Sequence, residues 1–389
     1  MTGTIRNFIF PSAAIAVLLA LTGCASAPIP KPDTTPSAAT STPTPFSSST
    51  ADPVGPELSS RPEARVPLGC DELMGEGELA LAMSGVPVDS ISVHPSSANS
   101  GTIATLQGGM LACFWQTLAD ADPQIGRWNI RLEILPDAAE AYQADAAAFP
   151  PNENDQALIG PNSSVSCFDD GPSRSCEVSF ENDGYWVELN YSGLAAAHPA
   201  RTELLADAVE IGTSIRDDLS AAGPPRPAFS PAADAPAPVG SCLQIDADGA
   251  FRGGLGTPSL IAPVTDQIGT AMVGVAMERA GRVICTWRQT DVYATPAGEL
   301  RQIRIEMIPG AGWAWPELLE IALATDADAQ VTVPGADAAV VVCRSVDDCT
   351  VQALVGGSYL SIDAWNEEGN TADARAGALK AAELAISTL

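Results

Sequence analysis

Cysteine is the residue type that gives this sequence most of its potential chemistry, because a thiolate can bind a metal, take part in redox exchange or form a disulfide. The chain contains nine cysteines, and two of them lie in a repeated Cys-x-Trp motif. The motif reads Cys113-Phe-Trp115 and then Cys285-Thr-Trp287, and each copy follows an earlier cysteine by 43 positions. This regular spacing predicts a duplicated structural unit.

Eight of the nine cysteines form two equivalent sets of four, which are Cys70, Cys113, Cys167 and Cys176 in the first and Cys242, Cys285, Cys343 and Cys349 in the second. Four cysteines allow three connectivities. Pairing within each set, with the close pair spanning a turn-rich stretch, favours Cys70–Cys113 with Cys167–Cys176, and Cys242–Cys285 with Cys343–Cys349. Zinc is the alternative, but the spacings are not those of zinc knuckles and no histidine lies nearby in the sequence. We therefore expect four disulfides and no metal.

The two tryptophans of the motif lie two residues after their cysteines, and hence on the same face of a strand. We expect Trp115 and Trp287 to be buried against the disulfides; exposed indoles that stack on a sugar are the alternative.

Histidine is the commonest general base in enzymes, and the sequence has only His94 and His198. Each of them precedes a proline, and neither has a counterpart in the second half. No hydrolase signature accompanies them. We therefore assign no catalytic residue and no cofactor, although a Ser–His–Asp triad assembled from distant positions is an alternative.

A short acidic segment, Gln244-Ile-Asp-Ala-Asp-Gly249, partly matches a calcium-binding loop. The twelfth position of such a loop should be a glutamate, and here it is Leu255. We therefore predict no calcium site.

Candidate binding residues come from charged and aromatic pairs. Arg131 and Glu133 recur as Arg304 and Glu306, and at positions i and i+2 of a strand each pair shares one face, opposite its apolar neighbours. The pairs either form a solvated ladder or, where the sheet face is uncovered, a ligand surface. The second half alone carries a pair of tryptophans that either form an exposed platform or pack a helix, Trp313 and Trp315.

The two halves repeat with a period of 172 to 173 residues. Each reads as a helix, two strands, a helix, three strands and a closing helix, which predicts the α+β class, with an antiparallel sheet packed against helices. This order resembles the PsbP/Mog-like sandwich and the Cys…Cys-x-Trp domains of actinobacterial lipoproteins of unknown function. We predict a first domain over 68–222, a Pro/Ala-rich linker over 223–240 and a second domain over 241–389.

The N-terminus has a basic residue, a short apolar run and then Leu21-Thr-Gly-Cys24. A basic start, a short apolar region and small residues at a cleavage site are typical of a secretory signal. The ending resembles the lipobox of bacterial lipoproteins, which implies cleavage after residue 23 and lipidation of Cys24. The Pro/Ser/Thr-rich residues 24–67 predict a disordered tether.

Charge and composition narrow the class of partner. The chain has 19 basic and 48 acidic residues, with a net charge of −29, so we exclude nucleic acid. We expect a monomeric lipoprotein, anchored through Cys24 to the extracytoplasmic face of the cell membrane, that binds an envelope protein, peptide or glycan without catalysis. The alternatives are an envelope hydrolase with its site in the first domain and a metal-dependent adhesion or sensing module.

Overall fold

Two antiparallel sheets, one in each copy of the duplicated sequence, form the framework of the protein. The computed structural model describes residues 58–82, 88–89, 99–117, 129–150, 157–169, 173–194, 201–230, 242–257, 260–261, 263–265, 271–289, 300–366 and 371–389. Among these residues, no helix has both the length and the apolar character needed to cross a membrane.

The first copy has a six-stranded sheet with helices on both faces. Its helices are α1 (Cys70–Leu73), α2 (Glu76–Ala82), α3 (Ser100–Gln107), α4 (Ala139–Ala148) and α5 (Arg201–Ala222). Its strands are β1 (Val88–Asp89), β2 (Leu111–Thr117), β3 (Asn129–Leu135), β4 (Ser163–Asp169), β5 (Ser173–Asn182) and β6 (Tyr185–Leu194). The order across the sheet is β1-β2-β3-β6-β5-β4, and neighbouring strands are antiparallel.

The second copy repeats this arrangement and adds one short edge strand. Its helices are α6 (Cys242–Ile245), α7 (Ala250–Leu255), α8 (Met272–Arg279), α9 (Trp315–Thr325) and α10 (Thr371–Ile386). Its strands are β7 (Val264–Thr265), β8 (Val283–Arg288), β9 (Leu300–Ile308), β10 (Gln330–Val331), β11 (Ala338–Cys343), β12 (Asp348–Val355) and β13 (Ser358–Asn366). The predicted α+β class and the duplication are confirmed.

One face of each sheet forms a core with the C-terminal helix of its copy. In β3 the alternating residues Ile130, Leu132 and Ile134 are fully buried, because side chains two apart on a strand point to the same face. They belong to the same cluster as Ile211 and Ile215 of α5. The opposite face of each sheet is left for other elements of the same copy to cover.

All four predicted disulfides are present. Cys70–Cys113 and Cys242–Cys285 join the first helix of each copy to the strand that carries the Cys-x-Trp motif. Cys167–Cys176 and Cys343–Cys349 each link two paired strands next to their turn. Trp115 and Trp287 are fully buried beside these cysteines, as expected.

A helix that is absent from the predicted order of elements precedes each Cys-x-Trp strand. Helix α3 and its counterpart α8 have eight residues each and pack against one another, which joins the two copies. Asn99 caps α3, since its side chain accepts a hydrogen bond from the Thr102 amide at 2.9 Å. An isolated helix of this length is marginal in water, so packing stabilises it.

Equivalent residues on the two packed helices make reciprocal contacts. Gln107 donates from Nε2 to the carbonyl oxygens of Pro309 and Ala280, at 2.7 and 3.2 Å. Arg279, at the same position of α8, donates to the carbonyl oxygens of Pro136 and Asp137, at 2.6 and 2.7 Å. Each copy thus binds the turn that follows the long central strand of the other.

The segment predicted as the end of a disordered tether differs from that prediction. Residues 58–67 have defined contacts: Ser59 Oγ donates to the Gly310 carbonyl at 2.9 Å, and Val66 is fully buried in the first core. Arg226, in the predicted linker, donates to the carbonyl oxygens of Ala64 and Pro67. Sparse apolar and charged residues anchor a segment whose overall composition is that of a coil. Residues 231–240 of the linker lie outside the described residues.

Candidate functional site: an acidic groove on the first sheet

The second face of the first sheet carries two rows of residues that run across five strands. Cross-strand pairing places one row in the order Ala112, Glu133, Glu188, Ser179 and Ser164. The next row has the order Phe114, Arg131, Asn190, Glu177 and Ser166. Both rows are polar on β3, β6, β5 and β4. Apolar packing on this face lies at one end of it, around Leu135 and Trp186.

Helix α4 stands over this face without sealing it. None of its residues is buried, and an open cavity of about 710 Å³ lies between the helix and the strands. Tyr142 and Asp145 line it from the helix, and Glu177 and Glu188 line it from the sheet. No described residue that lines the cavity is basic. We call this cavity the acidic groove.

Two exposed aromatic side chains border the acidic groove. Phe149, in the C-cap of α4, is 69% exposed, and Phe168, near the end of β4, is 37% exposed. Tyr142 packs edge-on against Trp186 with the ring centroids 5.7 Å apart. Aromatic faces beside carboxylates provide the two kinds of group that attract an organic cation.

Glu188 is the carboxylate with the most perturbed environment in the groove. Burial raises its pKa to about 7, with further increases from the charges of Glu133, which lies directly opposite on β3, and Asp145. Arg131 acts in the other direction, but its Nη2 already donates to Glu133 Oε1 at 2.6 Å. Like charges opposite one another on a sheet are unfavourable. A positive charge placed near Glu133 and Glu188 would therefore be stabilising.

The second copy fills the equivalent space with apolar side chains. Helix α9 buries Trp315, Leu318 and Ala322, which stand where α4 and its C-cap have Tyr142, Asp145 and Phe149. Val340, opposite Gln352 as Ser164 is opposite Ser179, is fully buried, and it clusters with Trp315 and Leu354. The duplicated sheet faces are therefore closed in one copy and open in the other.

The charged residues of the closed face neutralise each other. Glu306, the equivalent of Glu133, binds Arg282 at 2.5 Å and Arg304 at 2.8 Å. Asp363 stands where the first copy has Asn190; burial raises its pKa, and the Thr350 hydroxyl donates to it. The carboxylate of Glu306 is therefore paired within this face, although the buried Nε atoms of Arg282 and Arg304 have no hydrogen-bond partner among the described residues.

The structure separates the candidate binding residues that the sequence analysis named. Arg131 and Glu133 lie on the floor of the open face, next to the acidic groove, whereas Arg304 and Glu306 belong to the closed one. The exposed-platform interpretation of the tryptophan pair is wrong. Trp313 and Trp315 are both buried. Trp313 donates to Gln107 Oε1 at 3.2 Å between the copies, and Trp315, the first residue of α9, packs against Val340 and Leu354.

Other sequence predictions fall outside this site. Cys24, His94 and His198 lie outside the described residues. Asp246 of the calcium-loop candidate is buried and binds Arg252 at 2.6 Å and the Trp287 indole at 3.3 Å. In the described ranges, no group of three His, Cys, Asp or Glu residues could hold a metal ion.

The carboxylates of the groove were missed because they do not recur. Asp145, Glu177 and Glu188 correspond to Leu318, Thr350 and Ser361 in the second copy. Charged pairs that recur in both copies are mostly residues that maintain the fold. Aligning the copies and listing positions where a carboxylate faces an apolar or neutral residue would have indicated the groove.

The comparisons with known proteins add no function. No family model matches the chain, and no curated protein matches it. Among solved structures, the chain is similar to the di-domain ARO/CYC StfQ from the steffimycin biosynthetic pathway, with 12% identity over 84% of this chain and 95% of that chain. The TM-score of 0.18 means that this likeness carries no argument about fold or activity.

Proposed function

We propose that this protein is a lipid-anchored, non-catalytic binding module of the cell envelope, and that the acidic groove of the first copy is its ligand site. One observation carries the proposal. The same sheet face is filled by Trp315, Leu318 and Val340 in one copy and left as an open cavity with three carboxylates in the other. A cavity of this size is in the range that binds small ligands.

The two copies differ in how they use the second face of the sheet, and this difference supports the proposal. The second copy packs its own α9 on the face that the first copy keeps open, and it contacts the first copy through α3 and α8. We infer that the second copy is a structural support and that the first copy carries recognition. The lipobox-like Leu21-Thr-Gly-Cys24 would place this binding head at the outer surface of the membrane.

Site-specific photo-crosslinking on intact cells tests the proposed site. A photoreactive residue at Phe149 should capture an envelope component, because this side chain is exposed at the edge of the groove. The matched control is Leu323 of α9, which is similarly placed on a helix of the second copy and is 39% exposed. Identical adducts at both positions, or no adduct from Phe149, would contradict the proposal.

The anchor has its own test. Cys24→Ala should remove label from cells fed a radioactive fatty acid and shift the protein from the membrane fraction to the soluble extracytoplasmic fraction. A variant that stays in the membrane fraction would show that a different feature anchors the protein.

A further inference from the structure

A second cavity lies on the same sheet face, on the other side of the Arg131–Glu133 pair. Its volume is about 400 Å³, and it lies between β2 and the packed helices α3 and α8. The side chains around it are mostly apolar and include Phe114, Val273 and Met277. We call it the junction pocket, since residues from both copies form it.

The junction pocket and the acidic groove share one floor. Arg131 and Glu133 of β3 line the junction pocket, and their direct cross-strand partners, Asn190 and Glu188 of β6, line the groove. Neighbouring strands are about 4.8 Å apart. One ligand of modest length therefore reaches from the apolar cavity to the carboxylates of Glu188 and Glu177.

The charge of the floor decides which end of a ligand lies where. Glu133 is buried and already bound to Arg131, so this pair is internally neutral where the two cavities meet. Beyond it the groove presents Glu188, Glu177 and Asp145, and an anionic group would be repelled there. A cationic group would gain both from these carboxylates and from the aromatic faces beside them.

We propose that the two cavities together bind a small cationic amphiphile, with its ammonium group over Glu188 and Glu177 and its apolar part in the junction pocket between Phe114 and Met277. This inference rests on the proposed function, because it names the ligand class of the same site. Burial of the apolar part away from water supplies affinity, and the carboxylates supply selection against neutral and anionic analogues.

Three six-carbon probes of different charge test the ligand class. The full chain with Cys24→Ser, which lacks the lipid, is titrated at pH 8 with hexylammonium, hexanol and hexanoate, and binding is followed by ligand-observed NMR. We expect hexylammonium to bind at least tenfold more tightly than hexanol, and hexanoate to bind most weakly. Equal affinities for the three probes would overturn the proposal, as would preferential binding of a short Lys/Leu peptide with no binding of hexylammonium.

Two variants separate the charged end from the apolar end. Glu188→Gln should weaken the binding of hexylammonium at least fivefold and leave the binding of hexanol unchanged. The unchanged binding of hexanol also shows that the variant is folded. Ala112→Leu, which adds bulk to the floor of the junction pocket, should weaken the binding of both hexylammonium and hexanol and leave the binding of methylammonium unchanged. Glu210→Gln, an equal change of charge on the exposed side of α5, is the control and should alter affinity less than twofold.

The outcomes distinguish this inference from the function on which it rests. If hexylammonium does not bind but crosslinking from Phe149 still captures an envelope component, the ligand class is wrong and the binding site stands. If neither result is obtained, both proposals fail. A loss of affinity in Glu210→Gln equal to that in Glu188→Gln would show that net charge alone attracts the probe, and would also overturn the inference.

Discussion

The side chain of Glu188 shows how a single residue sets the character of the groove. It lies on β6 directly opposite Glu133, and burial together with neighbouring charges raises its pKa to about 7. The second copy has the neutral Ser361 at this position. A carboxylate that is costly to ionise in the folded protein is a residue that stability alone would not favour, and it is typical of a functional position.

The first prediction concerns stability and pH. The pKa of Glu188 is raised on folding, so the stability it contributes is complete below the unfolded pKa near 4.5 and is lost as the pH rises through about 7. One pKa unit corresponds to about 1.4 kcal/mol, so ionisation costs roughly 3 kcal/mol. Glu188→Gln should therefore raise the free energy of unfolding by roughly this amount at pH 8 and leave it unchanged at pH 4.

Urea unfolding at the two pH values measures this effect. The charged and titratable groups that face Glu188 are Arg131 and Glu133 on β3, Glu177 on β5, and Asp145 and Tyr142 on α4. Glu210→Gln is the control for a general change of net charge. A Glu188→Gln variant that is no more stable than wild type at pH 8 would contradict the burial argument.

At the scale of elements, the helix over the second face of each sheet decides whether that face is a core or a groove. Helices α4 and α9 follow equivalent strands, yet α4 buries no residue and α9 buries three. The strands beneath agree with the helices, since Ser164 and Ser166 lie under α4 and Val340 and Val342 lie at the matching positions under α9. The residues of the helix and those of the strands beneath it therefore differ together between the two copies.

The second prediction concerns the disulfides. Each copy has one long and one short closed loop, with sequence separations of 43 and 9 in the first copy. Because a crosslink restricts the unfolded chain more when its loop is longer, replacing Cys70 and Cys113 by Ala should cost about 4 kcal/mol, and replacing Cys167 and Cys176 about 2.7 kcal/mol. Guanidinium unfolding of the two double variants compares these values. A larger loss from the short bridge would mean that native contacts, and not loop entropy, dominate.

The whole molecule depends on a close approach between its copies. Gly108, at the end of α3, lies against the backbone of Ala276 in α8, and a Cβ atom added there would overlap that backbone. The surrounding cluster includes Ile103 and Leu106 from the first copy and Trp313 from the second. The joint is therefore a packed interface that leaves no room for a side chain at this glycine.

The third prediction tests this joint. Gly108→Ala should lower the free energy of unfolding by about 1–3 kcal/mol through overpacking, and it should speed hydrogen exchange in α3 and α8 while the central strands stay protected. Gly77→Ala is the control, because a Cβ at this position of α2 meets no atom within 4 Å and the change should stabilise the helix by up to about 1 kcal/mol. Unchanged hydrogen-exchange protection of α3 and α8 in Gly108→Ala would show that the close contact of Gly108 with Ala276 does not hold the two helices together.

Local periodicity and the spacing of the cysteines were enough to predict the duplication, the antiparallel sheets and the disulfide pairs. The alternation of Ile130, Leu132 and Ile134 fixes which face is core. Helix α3 was not predicted because its stability depends on packing against α8, 172 residues away in the chain. Only the tertiary structure placed Glu188, Glu177 and Asp145 around one cavity, since they come from two strands and a helix whose meeting depends on the register of the sheet.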